Sequence, residues 1–473
     1  MDGVPLPLRV LAMSPIPLPA LLDRILRTVV RRYRLPPLAR SSSLDASTNA
    51  ATVIATVIEE ARVALAAHTA PEAALQDRFV AALARMIRDA VDPHMGDPAF
   101  QAAVLRHDAP SVRDYAALSA HADQDRRALR STVNTLAHPA KRERCAHAWQ
   151  RDALAELHTA AFSASWSAFD ATVRRWRAHP DTASDPVFSR ELAKLTDSPA
   201  LARLQRIDAL ASDPSVRRYR ALLARHGPQS GSALAVAQGV TSRQRGAAVE
   251  AAAAQALDAL AQRLDAHDGT PRYRVVTSMR VPSAIPGPHD RAKTEWDAVL
   301  LERANDDAQA PVWNVCFLVE AKASADAATT DLPRLQRGLR LLAQADADTV
   351  YSFDTRQGAV RVTGASLGAL TTDEATLPRE VMYCCDERAE VTPRLLGAAS
   401  RMQLLCAQAS LDYASTLLRT GDADPRMLGV IWEALIGVPQ WRSVLHQYST
   451  LRQVRELMVR IDDLLVAIDD AAA

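Results

Sequence analysis

Thr294-Glu295-Trp296-Asp297-Ala298-Val299-Leu300-Leu301 and Trp313-Asn314-Val315-Cys316-Phe317-Leu318-Val319-Glu320-Ala321-Lys322 decide how this chain is read. Both are apolar runs of strand type. Asp297 stands at the entrance of the first, and Glu320 and Lys322 close the second. Side chains alternate along a strand, so Glu320 and Lys322 share one face and Ala321 takes the other. On neighbouring strands, Asp297 then meets Glu320 within ligand distance. Val315-Cys316-Phe317-Leu318-Val319 lacks alternation, which predicts a strand buried on both faces. Charges at the end of such a strand emerge near solvent. Lysine is scarce: of 56 basic residues, Lys141, Lys194, Lys293 and Lys322 are the four lysines, leaving 52 arginines. A lysine beside two acids in such a chain points to chemistry. An ammonium is a compact charge with a tunable pKa, whereas a guanidinium stays charged.

Outward from these strands, the texture is beta-like for a short span and helical elsewhere. Gly246 precedes an Ala-rich helix, Ala247 to Leu264. Strand-type runs follow at Tyr273–Val281, Glu295–Leu301 and Val312–Ala321, then a helix over about 331–343. Thr349–Phe353 and Ala359–Thr363 read as two more strands around a turn at Gln357-Gly358, and 379–385 as an edge strand. Residues 21 to about 235 form a succession of helices, beginning with Leu21–Tyr33. Helices return over 393–419, 425–436 and 439–469. Asp-Pro and Ser-Pro joints mark turns between them. His226-Gly227-Pro228, with Gly231 behind it, reads as a linker. The division is therefore a helical region 1–235, a sheet-bearing core 236–390 and a helical region 391–473. The fold class is α+β and mostly helical, with a central mixed sheet in the order αβββαβ.

That order, with its acids at the strand ends, resembles the core of the PD-(D/E)XK nuclease-like superfamily over about residues 243–365. In that group an Asp near the second strand and a Glu/Asp-x-Lys on the third lie side by side. Asp297, Glu320 and Lys322 match those positions. Glu295-Trp296-Asp297 also resembles the Glu-hydrophobic-Asp form of endonuclease-like members. One departure is the missing Pro before the Asp. Glu250, in the Ala-rich helix, matches a Glu often found on the helix before the sheet. Gln336 resembles a Gln carried by some members after the motif. The resemblance implies a metal-dependent nuclease acting on nucleic acid, DNA ahead of RNA.

The chemistry follows from residue types. Two carboxylates, Asp297 and Glu320, and a backbone carbonyl, that of Ala321, suit a hard cation such as Mg2+ or Mn2+. The metal polarises a phosphate oxygen and acidifies a bound water. Lys322 assists that water or neutralises charge developing on the phosphate, and Glu250 holds metal-bound water from the helix side. Arg291 and Lys293, in the loop before Glu295, and Ser324, after Lys322, are candidate phosphate contacts. The same residues also suit a plain role, with Asp297 capping a turn and Glu320 and Lys322 forming a solvated ion pair.

Bulk properties narrow the alternatives. Charge is balanced, 56 basic against 55 acidic residues, so no basic domain argues for nucleic acid globally. A nuclease-like fold without catalysis, used as a binding or assembly module with a protein partner on the helical flanks, is the second reading. A TIM barrel of the 3-deoxy-D-arabino-heptulosonate 7-phosphate synthase kind needs eight strand-helix units, and only a handful of strands are legible. Five cysteines with irregular spacing point to a reducing compartment. No apolar run of membrane-spanning length occurs, and the N-terminus, with Asp2 and repeated prolines, does not read as a signal peptide. A cytoplasmic protein is expected. Val30-Arg31-Arg32-Tyr33-Arg34 recurs in form at Val173–Arg177 and Val216–Arg220, read as helices with Val and the aromatic facing inward.

Overall fold

A computed structural model describes residues 18–471, apart from 46, 139, 141, 142, 144, 146, 164, 228–231, 308 and 391. Lys141 and Pro228–Gly231 of the expected linker thus lie outside the described residues, as does most of the proline-rich N-terminus. The chain groups into two compact units that alternate along the sequence. One comprises Met1–Leu83, Ala233–Gln403 and Gly429–Ala473; the other comprises Ala84–Ser232 and Leu404–Leu428.

The first unit is α+β and holds a mixed seven-stranded sheet. Its strands are β1 (Tyr273–Arg280), β2 (Glu295–Arg303), β3 (Val312–Ala321), β4 (Val350–Phe353), β5 (Val360–Thr363), β6 (Val381–Cys385) and β7 (Met458–Arg460). β1, β2 and β3 form an antiparallel meander, with Ala298 opposite Val319. β6 lies parallel to the second half of β3, pairing Glu320 with Tyr383, and β7 lies parallel to β6. The β4–β5 hairpin attaches at the start of β3, where Val312 and Trp313 pair with Arg361 and Val362.

Helices cover both faces. They are α1 (Ala20–Thr28), α2 (Ala233–Asp268), α3 (Ala325–Leu342), α4 (Gln447–Leu457) and α5 (Ile461–Asp470). Leu257, Leu260 and Leu264 of α2, with Ile25 of α1 and Leu464 of α5, pack on Leu300, Phe317, Val319 and Cys384. Leu332, Leu335 and Leu339 of α3, with Leu457 of α4, pack on Val299, Leu318, Tyr383 and Cys385. β3 and β6 are thus covered on both sides, as their unbroken apolar runs require.

Several expectations shift. The strand expected at 379–385 starts at Val381 and is internal rather than an edge, because β7 closes its far side and all five residues of β6 are buried. β7 itself lies inside the expected helix 439–469; three residues are too few to break a helical pattern. Ser324 caps α3, so that helix starts at Ala325 and runs through Pro333. The expected helix Leu21–Tyr33 stops at Thr28. Beyond it Arg31 donates to the Glu456 carbonyl (3.1 Å), Arg32 pairs with Asp463 (2.7 Å) and Arg34 with Glu456 (2.7 Å). Those arginines fasten the N-terminal segment to α4 and α5.

The second unit is helical. Asp97, Asp185 and Asp213 accept backbone N–H groups at helix starts whose first residue is Pro98, Pro186 and Pro214. An Asp N-cap followed by Pro is a strong start signal, so these joints open helices. Val173 and Val216 are fully buried there, Tyr219 is buried and Trp176 partly so, in line with an inward-facing Val and aromatic; the segment at Val30 departs, lying beyond the end of α1 with Val30 exposed and only Tyr33 buried. Among the described residues no helix is long and apolar enough to cross a membrane.

Candidate functional site

Antiparallel pairing of β2 with β3 brings Asp297 beside Glu320. The Ala321 amide donates to Asp297 Oδ2 at 2.9 Å, and the Asp297 amide approaches Glu320 Oε1 at 3.5 Å. In a strand, N–H and C=O of one residue point to the same neighbour, so the Ala321 carbonyl also faces β2. Leu318, Glu320 and Lys322 project to the α3 side by alternation. Lys322 Nζ lies 3.0 Å from Glu320 Oε2, 3.6 Å from Asp297 Oδ2 and 3.6 Å from Asp331 Oδ2 of α3. Tyr383, on β6, donates its hydroxyl to Asp331 Oδ2 at 3.3 Å.

Lys293 sits deeper than a phosphate-contacting lysine on a loop. Its side chain is 5% exposed, and Nζ lies 2.6 Å from Glu320 Oε2 and 4.0 Å from Asp297 Oδ1. The ammonium is 5.8 Å from the centre of the buried Trp296 ring, a cation–π distance. The loop carrying it is tied to α3. The Lys293 amide donates to the Arg334 carbonyl (3.1 Å), and Arg337 Nε to the Arg291 carbonyl (2.7 Å). Gly338 makes that approach possible, since a Cβ there would lie 2.8 Å from Lys293 Cβ and from its carbonyl oxygen.

The charges do not balance within the cluster. Three carboxylates, those of Asp297, Glu320 and Asp331, meet the two ammonium groups of Lys293 and Lys322, and Glu250 and Arg356 add opposite charges from further off. Burial, then the Asp297 charge, push the Glu320 carboxyl up to about 7, against the pull of both lysines. Burial and Asp297 likewise raise Glu250. Burial opposes the charge of Lys322, but Glu320, Asp297 and Asp331 together hold its pKa above the ordinary lysine value. Three acids around one ammonium favour its proton-bearing form.

The remaining expected residues lie as follows. Glu250 stands on α2, on the opposite layer from Lys293 and Asp331, and acts on the cluster through its charge. Ser324 Oγ accepts the Ala327 amide at 3.2 Å as the N-cap of α3. Gln336 donates to Gln453 of α4 at 3.3 Å. Arg291 is exposed, with a left-handed backbone at φ 61°. The structure thus gathers Asp297, Glu320, Lys322 and Lys293, and gives Ser324 and Gln336 other partners. Asp331 and Tyr383 are additions. A signal for Asp331 was present: it lies on the same stripe of α3 as Ala328, Leu332 and Leu335, where an acid needs a partner.

The donor set suits a partly hydrated cation better than one fully enclosed by protein oxygens. Glu320 Oε1 and Asp297 Oδ1 carry only long contacts, 3.5 and 4.0 Å, and the Ala321 carbonyl lies on the β2 side of its strand. Mg2+ is held by one or two carboxylates and keeps several waters. Among the described residues no group of three or more His, Cys, Asp or Glu side chains forms a ready metal cage. Comparison of the chain with family models, curated proteins and solved structures gave no match.

Proposed function

We propose that this protein is a metal-dependent phosphodiesterase acting on nucleic acid, with Mg2+ or Mn2+ held by Asp297, Glu320 and the Ala321 carbonyl. One observation carries the reading: two carboxylates from adjacent strands meet beside a lysine, in a cluster of three acids and two lysines. Excess charge that is partly buried calls for a cation. The order helix, meander of three strands, helix supports it further, with β6 parallel to β3 after the intervening β4–β5 hairpin. A bound divalent ion supplies Lewis acidity and an acidified water. Lys322, as an ammonium, stabilises charge developing on the phosphoryl oxygens. Asp297 is oriented by the Ala321 amide, and Asp331 with Tyr383 holds Lys322 in place. The exposed Arg291 and Arg356 lie at the periphery as phosphate contacts. DNA is the first substrate to test.

A second reading, a binding or assembly module without catalysis, is favoured by the 2.6 Å ion pair that already satisfies one Glu320 oxygen. The two separate in one experiment. The full chain with Mn2+ cleaves single- or double-stranded DNA or RNA, and Asp297→Asn, Glu320→Gln and Lys322→Met each lower the rate by about 100-fold or more. Cleavage that persists in all three variants contradicts the enzyme reading. Mn2+ binding without cleavage in the wild type favours the module.

A further inference from the structure

We propose that Lys293 is the resident counter-cation of this site and sets how tightly a divalent ion binds there; the inference rests on Asp297 and Glu320 being the cation's ligands. Lys293 is the nearer of two ammonium groups to Glu320, at 2.6 Å against 3.0 Å for Lys322. It is also the more enclosed, 5% exposed against 16%. Lys322 has a further acid, Asp331, at 3.6 Å. Lys293 has Glu320 and, at 4.0 Å, the very Asp297 oxygen left open for a ligand. Its charge is therefore spent on the pair of carboxylates that would hold the ion.

The position is built, not incidental. The lysine's backbone is bonded to α3 through the Arg334 carbonyl, its flank through Arg337, and helix residue 338 lacks the Cβ that would collide with it. A solvated lysine that merely greets substrate needs none of these. A divalent ion between Asp297 and Glu320 lies within a few ångströms of this ammonium, and like charges repel strongly where water is scarce. Lys293 therefore keeps Glu320 neutralised in the metal-free protein, and repulsion draws it back from Glu320 Oε2 when the ion takes the open Oε1. It trades cation affinity for an intact empty site.

The test is calorimetric titration of the full chain with MnCl2, with thermal melts in parallel, on the wild type, Lys293→Met and Gly338→Ala. Lys293→Met is expected to bind Mn2+ about tenfold tighter or more, and its melting temperature to rise further with added Mn2+ than that of the wild type. Gly338→Ala keeps the ammonium but pushes it from its seat, so its affinity rises by a smaller factor; it carries the test should Lys293→Met fail to fold. Equal or weaker Mn2+ affinity in both folded variants overturns the role of Lys293 while leaving Asp297 and Glu320 as ligands. No heat and no melting shift in any of the three proteins overturns the metal reading and the counter-cation with it.

Discussion

Glu320 is fully buried, and two ammonium groups share one of its oxygens. Breaking a buried pair by removing one partner is costly because the other charge remains. Glu320→Ala, which leaves the buried Lys293 only its 4.0 Å contact with Asp297, is expected to lower stability by about 3–5 kcal/mol, read from the urea midpoint. A loss under about 1 kcal/mol would mean the lysines find water easily, as exposed pairs do. Gly338→Ala forces Lys293 or α3 to move and is expected to cost about 1–3 kcal/mol in the same measurement. At this scale the sequence was informative where residue type is rare: scarcity singled out Lys322, and alternation placed it beside Glu320. Scarcity marked Lys293 equally, but its loop position concealed its depth. Only the contact of that loop with α3 reveals it. The partners of Ser324 and Gln336 likewise depend on helix start and helix packing, which short sequence patterns do not contain.

The elements next to the site explain which parts of the fold were legible. β2 and β3 could be read because acids punctuate long apolar runs. β6 has no such mark, and its internal place depends on β7, which lies far along the chain. The segment entering β6 gives a pH prediction. Burial pushes the Glu380 carboxyl up to about 7, while the Thr371 amide, donating at 2.7 Å, opposes this. In the unfolded chain the same group titrates near its ordinary value, so between about pH 4.5 and 7 the folded state binds more protons. Stability therefore falls as pH rises through that window. Glu380→Gln keeps the acceptor for Thr371 and removes the charge. It is expected to abolish part of the fall and to be more stable than wild type at pH 8 by about 1–3 kcal/mol, measured by thermal melts from pH 4.5 to 8. A parallel displacement of the two curves at every pH would contradict the assignment.

Across the whole molecule, the class was legible and the grouping was not. Composition and periodicity point to an α+β chain with a mixed sheet amid helices. That the sheet-bearing unit draws on the first residues, the middle and the last depends on long-range packing, such as Arg32 on Asp463. One consequence is testable. Removing residues 458–473 deletes β7 and α5, exposing the edge of β6 and the apolar residues of β3 and α2 that α5 covers. The truncated chain is expected to be insoluble or to lose cooperative unfolding, since unpaired buried edges aggregate; a soluble product with an unchanged melting temperature would contradict that. The most direct test of the central claim is a crystal of the full chain soaked in MnCl2, with the manganese located by its anomalous signal. The expected result is a single peak about 2.1 Å from one oxygen each of Asp297 and Glu320, absent in Asp297→Asn, with Lys293 drawn off Glu320. Density that shows no ion there, with Lys293 still on Glu320 at saturating manganese, would contradict it.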